Sequence, residues 1–350
     1  MPQRVFISDC EGPISKNDNA FELAAHFIPE GDRFFRILSR YDDVLAYFEG
    51  RSGYSAGYTL RLVAPFLKAY GATNKSIAEF SRRGLLLIRN AKPSLERIQR
   101  ILPAFIVSTS YSPYIEALCA ALSFPKENTF STYLDLDSVH LSLEETLNLQ
   151  QLSKEILAYP EIEIPEHAKC LDDLPASSRI AVSMLDKVFW EYLPNTGAGK
   201  IIHNIHPIGS IEKQRAVQEI TRAMSTSMDC VFYVGDSITD ADVLRTVRDS
   251  GGVSVSFNGN QYAVRNAEFC VLSESMEPIC RLVESFAVKG RLGVLETVEE
   301  IQRMCSTSTY PSLRPVCKVC VIGSFNLEEI IQESLAFRRM VRGESVAALG

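Results

Sequence analysis

The sequence predicts a doubly wound α/β protein: a parallel β-sheet covered by helices, with a mostly helical segment inserted after the first strand. Three observations predict it. Val5-Phe6-Ile7, Ala104-Phe105-Ile106-Val107 and Cys230-Val231-Phe232-Tyr233-Val234 are short, unbroken apolar runs. Such runs suit strands buried on both faces, as a parallel sheet between helical layers requires. Each is followed at once by polar, small or acidic residues: Ser8-Asp9, Ser108-Thr109-Ser110 and Gly235-Asp236-Ser237. Lastly, residues 17–90 carry helical periodicity, far more chain than the ~30 residues of a βαβ unit.

Within that insertion the periodic pieces are Ala20–Phe27, Phe34–Phe48, Leu60–Tyr70 and Ser76–Leu87, with Gly50, Gly53, Gly57 and Gly71 at their boundaries. Residues 1–16 and 91–289 are expected to form the core. A second, more polar excess at 135–195 interrupts it, with a helix over Leu143–Leu157 and a loop over Pro160–Pro175. A last strand, Phe269-Cys270-Val271-Leu272, precedes a helix near Met276–Phe286. Residues 290–350 read as an accessory extension and a candidate homo-oligomer contact, with helices Val294–Met304 and Leu327–Val341 around a proline-containing, strand-like stretch.

Composition excludes several classes. The chain has 350 residues, 46% hydrophobic and 23% charged, with a net charge of −7. An acidic protein is a poor partner for a phosphate backbone, so no nucleic acid is expected, although a local site can still be cationic. No apolar stretch reaches the ~18 residues needed to span a bilayer, so no membrane partner is expected. Met1-Pro2-Gln3-Arg4 leads straight into a strand-like run, and the nine cysteines cannot all pair within the chain, so a reduced, cytoplasmic protein is expected. Cys317 and Cys320 have CxxC spacing but lack a second pair at zinc-site spacing, and read as structural thiols.

In open α/β sheets the ligand crevice lies outside the carboxyl ends of the strands, so the three polar clusters should converge there. Asp9-Cys10-Glu11-Gly12 places two carboxylates on one tight turn. Attack by a carboxylate on phosphorus gives an acyl phosphate and divides hydrolysis into two displacements. Asp9 is the expected nucleophile and Glu11 the acid, then base. Ser108-Thr109-Ser110 offers hydroxyls and main-chain N–H groups to phosphate oxygens, although a helix cap is the commoner use of such residues. Gly235-Asp236-Ser237-Ile238-Thr239-Asp240 closes a buried strand with an acid and repeats one four residues later. Mg²⁺ takes one or two carboxylates with phosphate and waters, so Asp236 is the expected direct ligand and Asp240 a ligand through water or an orienting group. So many acids around a phosphate need a cation. Lys213, near the start of a helix preceding the third strand, is the candidate, with Lys200 in Gly199-Lys200 the alternative.

These pieces, in this order, resemble the haloacid-dehalogenase superfamily, and more closely its phosphoserine-phosphatase-like members. Asp9-Cys10-Glu11-Gly12 is similar to that superfamily's Asp-x-Asp-Gly motif, with Glu for the second Asp, and Phe257-Asn258-Gly259-Asn260 is similar to its closing segment. The resemblance implies a Rossmann-like core with a helical cap at 17–90, and Mg²⁺ held by Asp9, Asp236 and the Glu11 main-chain carbonyl. It further implies Ser108 as the phosphate-binding hydroxyl, Lys213 as the neutralising lysine and Asp240 as the second acid of Gly-Asp-x-x-x-Asp. The implied activity is a Mg²⁺-dependent phosphatase acting on a small phosphorylated metabolite through an aspartyl-phosphate on Asp9.

For a phosphoserine-like substrate, Arg51 and Glu22 are the candidates for its carboxylate and amine. The commoner role of such residues is a solvated helix face. Two alternatives stand beside hydrolysis: phosphoryl transfer to another acceptor, or mutase chemistry; and a non-catalytic subunit that retains the fold.

Overall fold

The protein is described from a computed structural model that covers residues 3–51, 54–165, 168–307 and 317–347. Ser52, Gly53 and the prolines of the 308–316 stretch lie outside the described residues.

Seven strands form one sheet: β1 Val5–Ser8, β2 Ala104–Tyr111, β3 Thr129–Thr132, β4 Val231–Gly235, β5 Val253–Phe257, β6 Phe269–Ser273 and β7 Cys317–Val321. Their order is β3-β2-β1-β4-β5-β6-β7. The first six pair in parallel and β7 runs antiparallel at the edge. β1, β4, β5 and β6 are buried along their whole length, which is why their sequences are unbroken apolar runs. One apolar cluster under the sheet holds Phe6, Phe232, Phe257 and Phe286, and another above it holds Ile7, Val217, Tyr233 and Leu244.

β1 lies between β2 and β4, with Ser8 level with both Ile106 and Val234. The carboxyl ends of the three strands therefore sit side by side. The order reverses here: from β1 the chain builds outward on one side to β2 and β3, then returns to build β4, β5 and β6 on the other. That reversal is where doubly wound sheets open a crevice.

The helical insertion after β1 contains helices Asn19–Phe27, Gly31–Asp43, Thr59–Ala69 and Asn74–Gly84. The 135–195 excess packs against it rather than standing alone. Helices Leu143–Leu157, Ala176–Asp186 and Gly197–Asn204 share one apolar cluster with Phe34, Tyr41, Phe66 and Leu67. Tyr41 donates to Asp186 at 2.5 Å, and Trp190 Nε1 donates to the Tyr41 hydroxyl at 2.8 Å. The two insertions thus close a single apolar core between them.

The 290–350 extension is likewise built into the fold. β7 completes the sheet by pairing with β6, Cys320 opposite Cys270. The helix Leu327–Arg342 then crosses the end of the sheet, its Ile330 and Ile331 packed against Val264 and Leu272. The accessory appendage expected from the sequence is therefore, over its described residues, part of the sheet and its helical cover.

Candidate active site

Asp9 follows β1, and its N–H donates to the Val234 carbonyl at 2.8 Å, tying the first acid to the end of β4. Cys10 N–H donates to Asp9 Oδ1 at 2.6 Å. Gly12, at φ +101°, lets the turn fold against Asp236: a Cβ here would lie 2.3 Å from the Asp236 carboxyl carbon. Only glycine combines that backbone angle with that approach. One residue at position 12 thus sets how closely the two strand-end acids sit.

Lys213, in the first turn of helix Ser210–Ala223, is fully buried. Its Nζ donates to Asp9 Oδ2 at 2.7 Å and to Asp240 Oδ1 at 2.8 Å. Asp240 also accepts from the Tyr233 hydroxyl and from the main-chain N–H groups of Asp236 and Ser237. Both Asp240 oxygens are therefore engaged: the residue fixes Lys213 and the 236–237 turn, and any role toward an ion runs through those partners. Burial alone would raise its carboxyl, but Lys213, Tyr233 and the amides hold it below the ordinary range. Lys213 is raised despite burial, because two carboxylates face it. Burial pushes Asp9 up to about 8, against the pull of Lys213 and with help from Asp240 and Asp236.

Glu11 projects from the same turn. Its Oε1 accepts from Asn19 N–H at 2.7 Å, at the start of helix Asn19–Phe27 that Asp18 caps. Burial first, and Asp18 second, raise Glu11, so its proton is retained at a pH where an exposed glutamate has lost it. Ser108, Thr109 and Ser110 line the same cleft. They were placed at a strand-to-helix junction, whereas β2 continues through them to Tyr111 and the helix begins at Ser112, followed by Pro113. Pairing of Tyr111 with Thr132 of β3 holds that extra length. Ser108 Oγ lies 3.1 Å from Ser110 Oγ and accepts from its N–H, so a phosphate here would meet strand-end groups rather than a helix N-terminus.

The cleft, of about 100 Å³, is walled by Asp9, Glu11, Asp18, Asp236, Ser108–Ser110 and, from the insertion, Phe35, Asp42, Asp43 and Thr59. Glu22 and Arg51 do not line it. Glu22 accepts two bonds from Asn17, and Arg51 pairs with Glu49 and with Asp186 of the 135–195 segment. Lys200 is exposed in helix Gly197–Asn204 and belongs to another cleft, with His140 and His203.

Sequence reasoning missed Asp18, Asp42, Asp43 and, above all, Arg338 and Arg342. Both arginines come from the C-terminal helix and are almost fully buried. Arg338 donates to the Asp236 carboxylate and, at 3.1 Å, to its main-chain carbonyl. Arg342 Nη1 donates to Asp236 Oδ2 at 2.9 Å, and its other nitrogens reach the Lys16 and Asn17 carbonyls. The available signal was their spacing: two arginines four apart share one helix face.

Oxygens of Asp9, Asp236 and Asp240 lie within 4.8 Å of one another, the one such grouping of metal-ligating side chains among the described residues. Hard carboxylate oxygens and the close approach allowed by Gly12 fit a small divalent ion. No membrane-length apolar helix occurs among the described residues.

Strand order, together with Asp9, Lys213 and Asp236 at adjoining strand ends, gives the chain a doubly wound α/β architecture with buried acids and a buried lysine gathered at the switch point of the sheet. The solved structure of gene product AF1437 from Archaeoglobus fulgidus is similar throughout, with a TM-score of 0.81 and 25% identity over 99% of each chain. A substrate-bound phosphoserine phosphatase is more distantly similar: TM-score 0.47 and 11% identity over 80% of this chain and 98% of that one. A HAD family hydrolase from Salmonella enterica subsp. enterica serovar Typhi gives 0.44 and 12% over 76% and 67%. No family model and no curated protein matches the sequence.

Proposed function

We propose that the protein is a Mg²⁺-dependent phosphatase that hydrolyses a small phosphorylated metabolite through an aspartyl-phosphate on Asp9. The observation that carries this reading is the Lys213 ammonium held between Asp9 and Asp240 at the end of β1, with Asp236 beside it at the end of β4. A buried lysine joining two carboxylates is costly as mere scaffolding, and is explained by a site that must gather anionic groups around a further anion.

Asp9 and Asp236, with the Glu11 main-chain carbonyl, would hold Mg²⁺, which when bound supplies charge neutralisation for the phosphoryl oxygens. The chain's own residues supply the rest. Ser108 and the neighbouring hydroxyls orient the phosphate, and Lys213 offsets its charge. Asp9 attacks phosphorus while Glu11, kept protonated by burial, gives its proton to the leaving oxygen. The resulting Glu11 carboxylate then takes a proton from the water that opens the acyl phosphate.

The cleft volume favours a small ester. Asp42 and Asp43 face it from the insertion, which acts as the cap of the site and favours a leaving group bearing an amine or hydroxyl donors. A phosphoserine-like ester has that character, although neither Glu22 nor Arg51 would recognise it.

The test is a screen of phosphorylated metabolites with Mg²⁺, alongside Asp9→Asn. The expected result is metal-dependent phosphate release by the unaltered protein, reduced at least ~10²-fold in the variant. Turnover that survives Asp9→Asn ends the proposal, and phosphate appearing only on an added alcohol favours a transferase.

A further inference from the structure

The C-terminal helix carries an inference that rests on the magnesium reading above. We propose that Arg338 and Arg342 are a built-in counter-cation for Asp236, which a divalent ion must displace, so that metal binding and the docked position of the arginine-bearing turns exclude one another.

Four observations support it. Both guanidinium groups converge on one oxygen, Asp236 Oδ2, from positions four apart on helix Leu327–Arg342. Asp236 is the acid that closes β4 and approaches Asp9, so the arginines neutralise the carboxylate on which an ion would draw. Two positive charges on that oxygen repel an arriving dication and occupy its lone pairs, and the same carboxylate cannot serve both cations at full strength.

Arg338 is incompletely satisfied where it sits. Its Nε is buried without a hydrogen-bond partner, an uncompensated donor that a fixed structural ion pair would not be expected to leave.

Arg342 connects the two halves of the site. Besides Asp236 it binds the Lys16 and Asn17 carbonyls, on the chain leaving the Asp9-Cys10-Glu11-Gly12 turn. The docked helix thereby spans the ends of β1 and β4 at the position from which an ion would be held.

The helix is anchored elsewhere. Ile330 and Ile331 pack under β6 and β7, and Ser334 donates to the Gly259 carbonyl at 2.7 Å. Withdrawal of the last turns leaves the pairing of β6 with β7 in place but uncovers Val341, which is buried in the cluster under the sheet.

The test measures metal binding rather than turnover. Mn²⁺, which accepts the same oxygen ligands, is titrated into the full chain, Arg342→Gln and Asp236→Asn, and free Mn²⁺ is read by electron paramagnetic resonance. Removing one competitor should tighten Mn²⁺ binding by Arg342→Gln about tenfold, because the competent state no longer has to be freed. Asp236→Asn should weaken it by a similar factor. In the unaltered chain, saturating Mg²⁺ should speed amide exchange over residues 338–347 while 327–333 stay protected. The exchange experiment decides the matter if Arg342→Gln fails to fold. Equal or weaker Mn²⁺ binding by Arg342→Gln, with Asp236→Asn still impaired, overturns the counter-cation and leaves the magnesium site standing. Unchanged exchange at 338–347 on metal saturation overturns it as well. If no form binds Mn²⁺ at millimolar concentration, the metal site itself fails and takes the inference with it.

Discussion

Lys213 Nζ lies 2.7 Å from Asp9 Oδ2, although the two residues are 204 positions apart and neither is appreciably exposed. The pair joins helix Ser210–Ala223 to the end of β1, and Asp240 extends it to the turn after β4. Lys213→Met should therefore leave two buried carboxylates facing each other. The expected cost is about 3–5 kcal/mol of stability, the range for removing one partner of a buried pair. Urea denaturation measures it, and a loss below about 1 kcal/mol would show that the ammonium is not the cation that holds these acids together.

Gly12 is the second point of fragility. Gly12→Ala must adopt φ +101° and place its methyl carbon inside the Asp236 carboxyl. The expected outcome is a loss of at least ~2 kcal/mol together with the proposed phosphatase activity, whereas Gly71→Ala, which also has positive φ but meets no atom, should lose about 1 kcal/mol and keep that activity. Thermal unfolding and turnover of the two variants separate backbone strain from the contact with Asp236. Equal behaviour of the two would remove the contact from the account.

The helical insertion carries a pH signature. Asp43 is buried, with Arg40 3.7 Å away, and burial followed by the neighbouring Asp42 raises its carboxyl from 3.8 to about 7. The folded chain thus binds this proton more tightly than the unfolded chain. Its contribution is complete below about pH 4 and is lost as pH rises through about 7. Asp43→Asn carries no such charge, so its stability relative to the unaltered protein should grow between pH 4 and pH 8, by at most about 4 kcal/mol. Melting curves at both pH values check the sign; a gap that does not widen refutes it.

Asp236 and Arg342 should be strongly non-additive. Asp236→Asn and Arg342→Gln each break a buried charge contact, so the double variant should be less damaged than the sum of the two, with a coupling of about 1–3 kcal/mol. A double-mutant cycle in urea reads it directly. Additivity within about 0.5 kcal/mol would mean that the contact contributes nothing measurable.

The sequence by itself marked β1, β2, β4 and β6 and the polar clusters at the ends of the first, second and fourth strands. Short apolar runs ending in Asp9, Ser108 and Asp236 mark buried parallel strands with polar ends, because a strand enclosed by helices has nowhere else to put a charge. Lys213 was legible for a related reason: clustered acids need a cation, and the crossover helix supplies one. Tertiary structure alone decided which charged residues face inward. Glu22 and Arg51, candidates for a substrate's amine and carboxylate, pair instead with Asn17, Glu49 and Asp186, while Arg338 and Arg342, which the sequence reading did not single out, lie on Asp236. Helical spacing reports which side chains share a face, but not what that face meets. That is settled by where β7 joins the sheet and how the helix crosses it, a long-range outcome that periodicity does not encode.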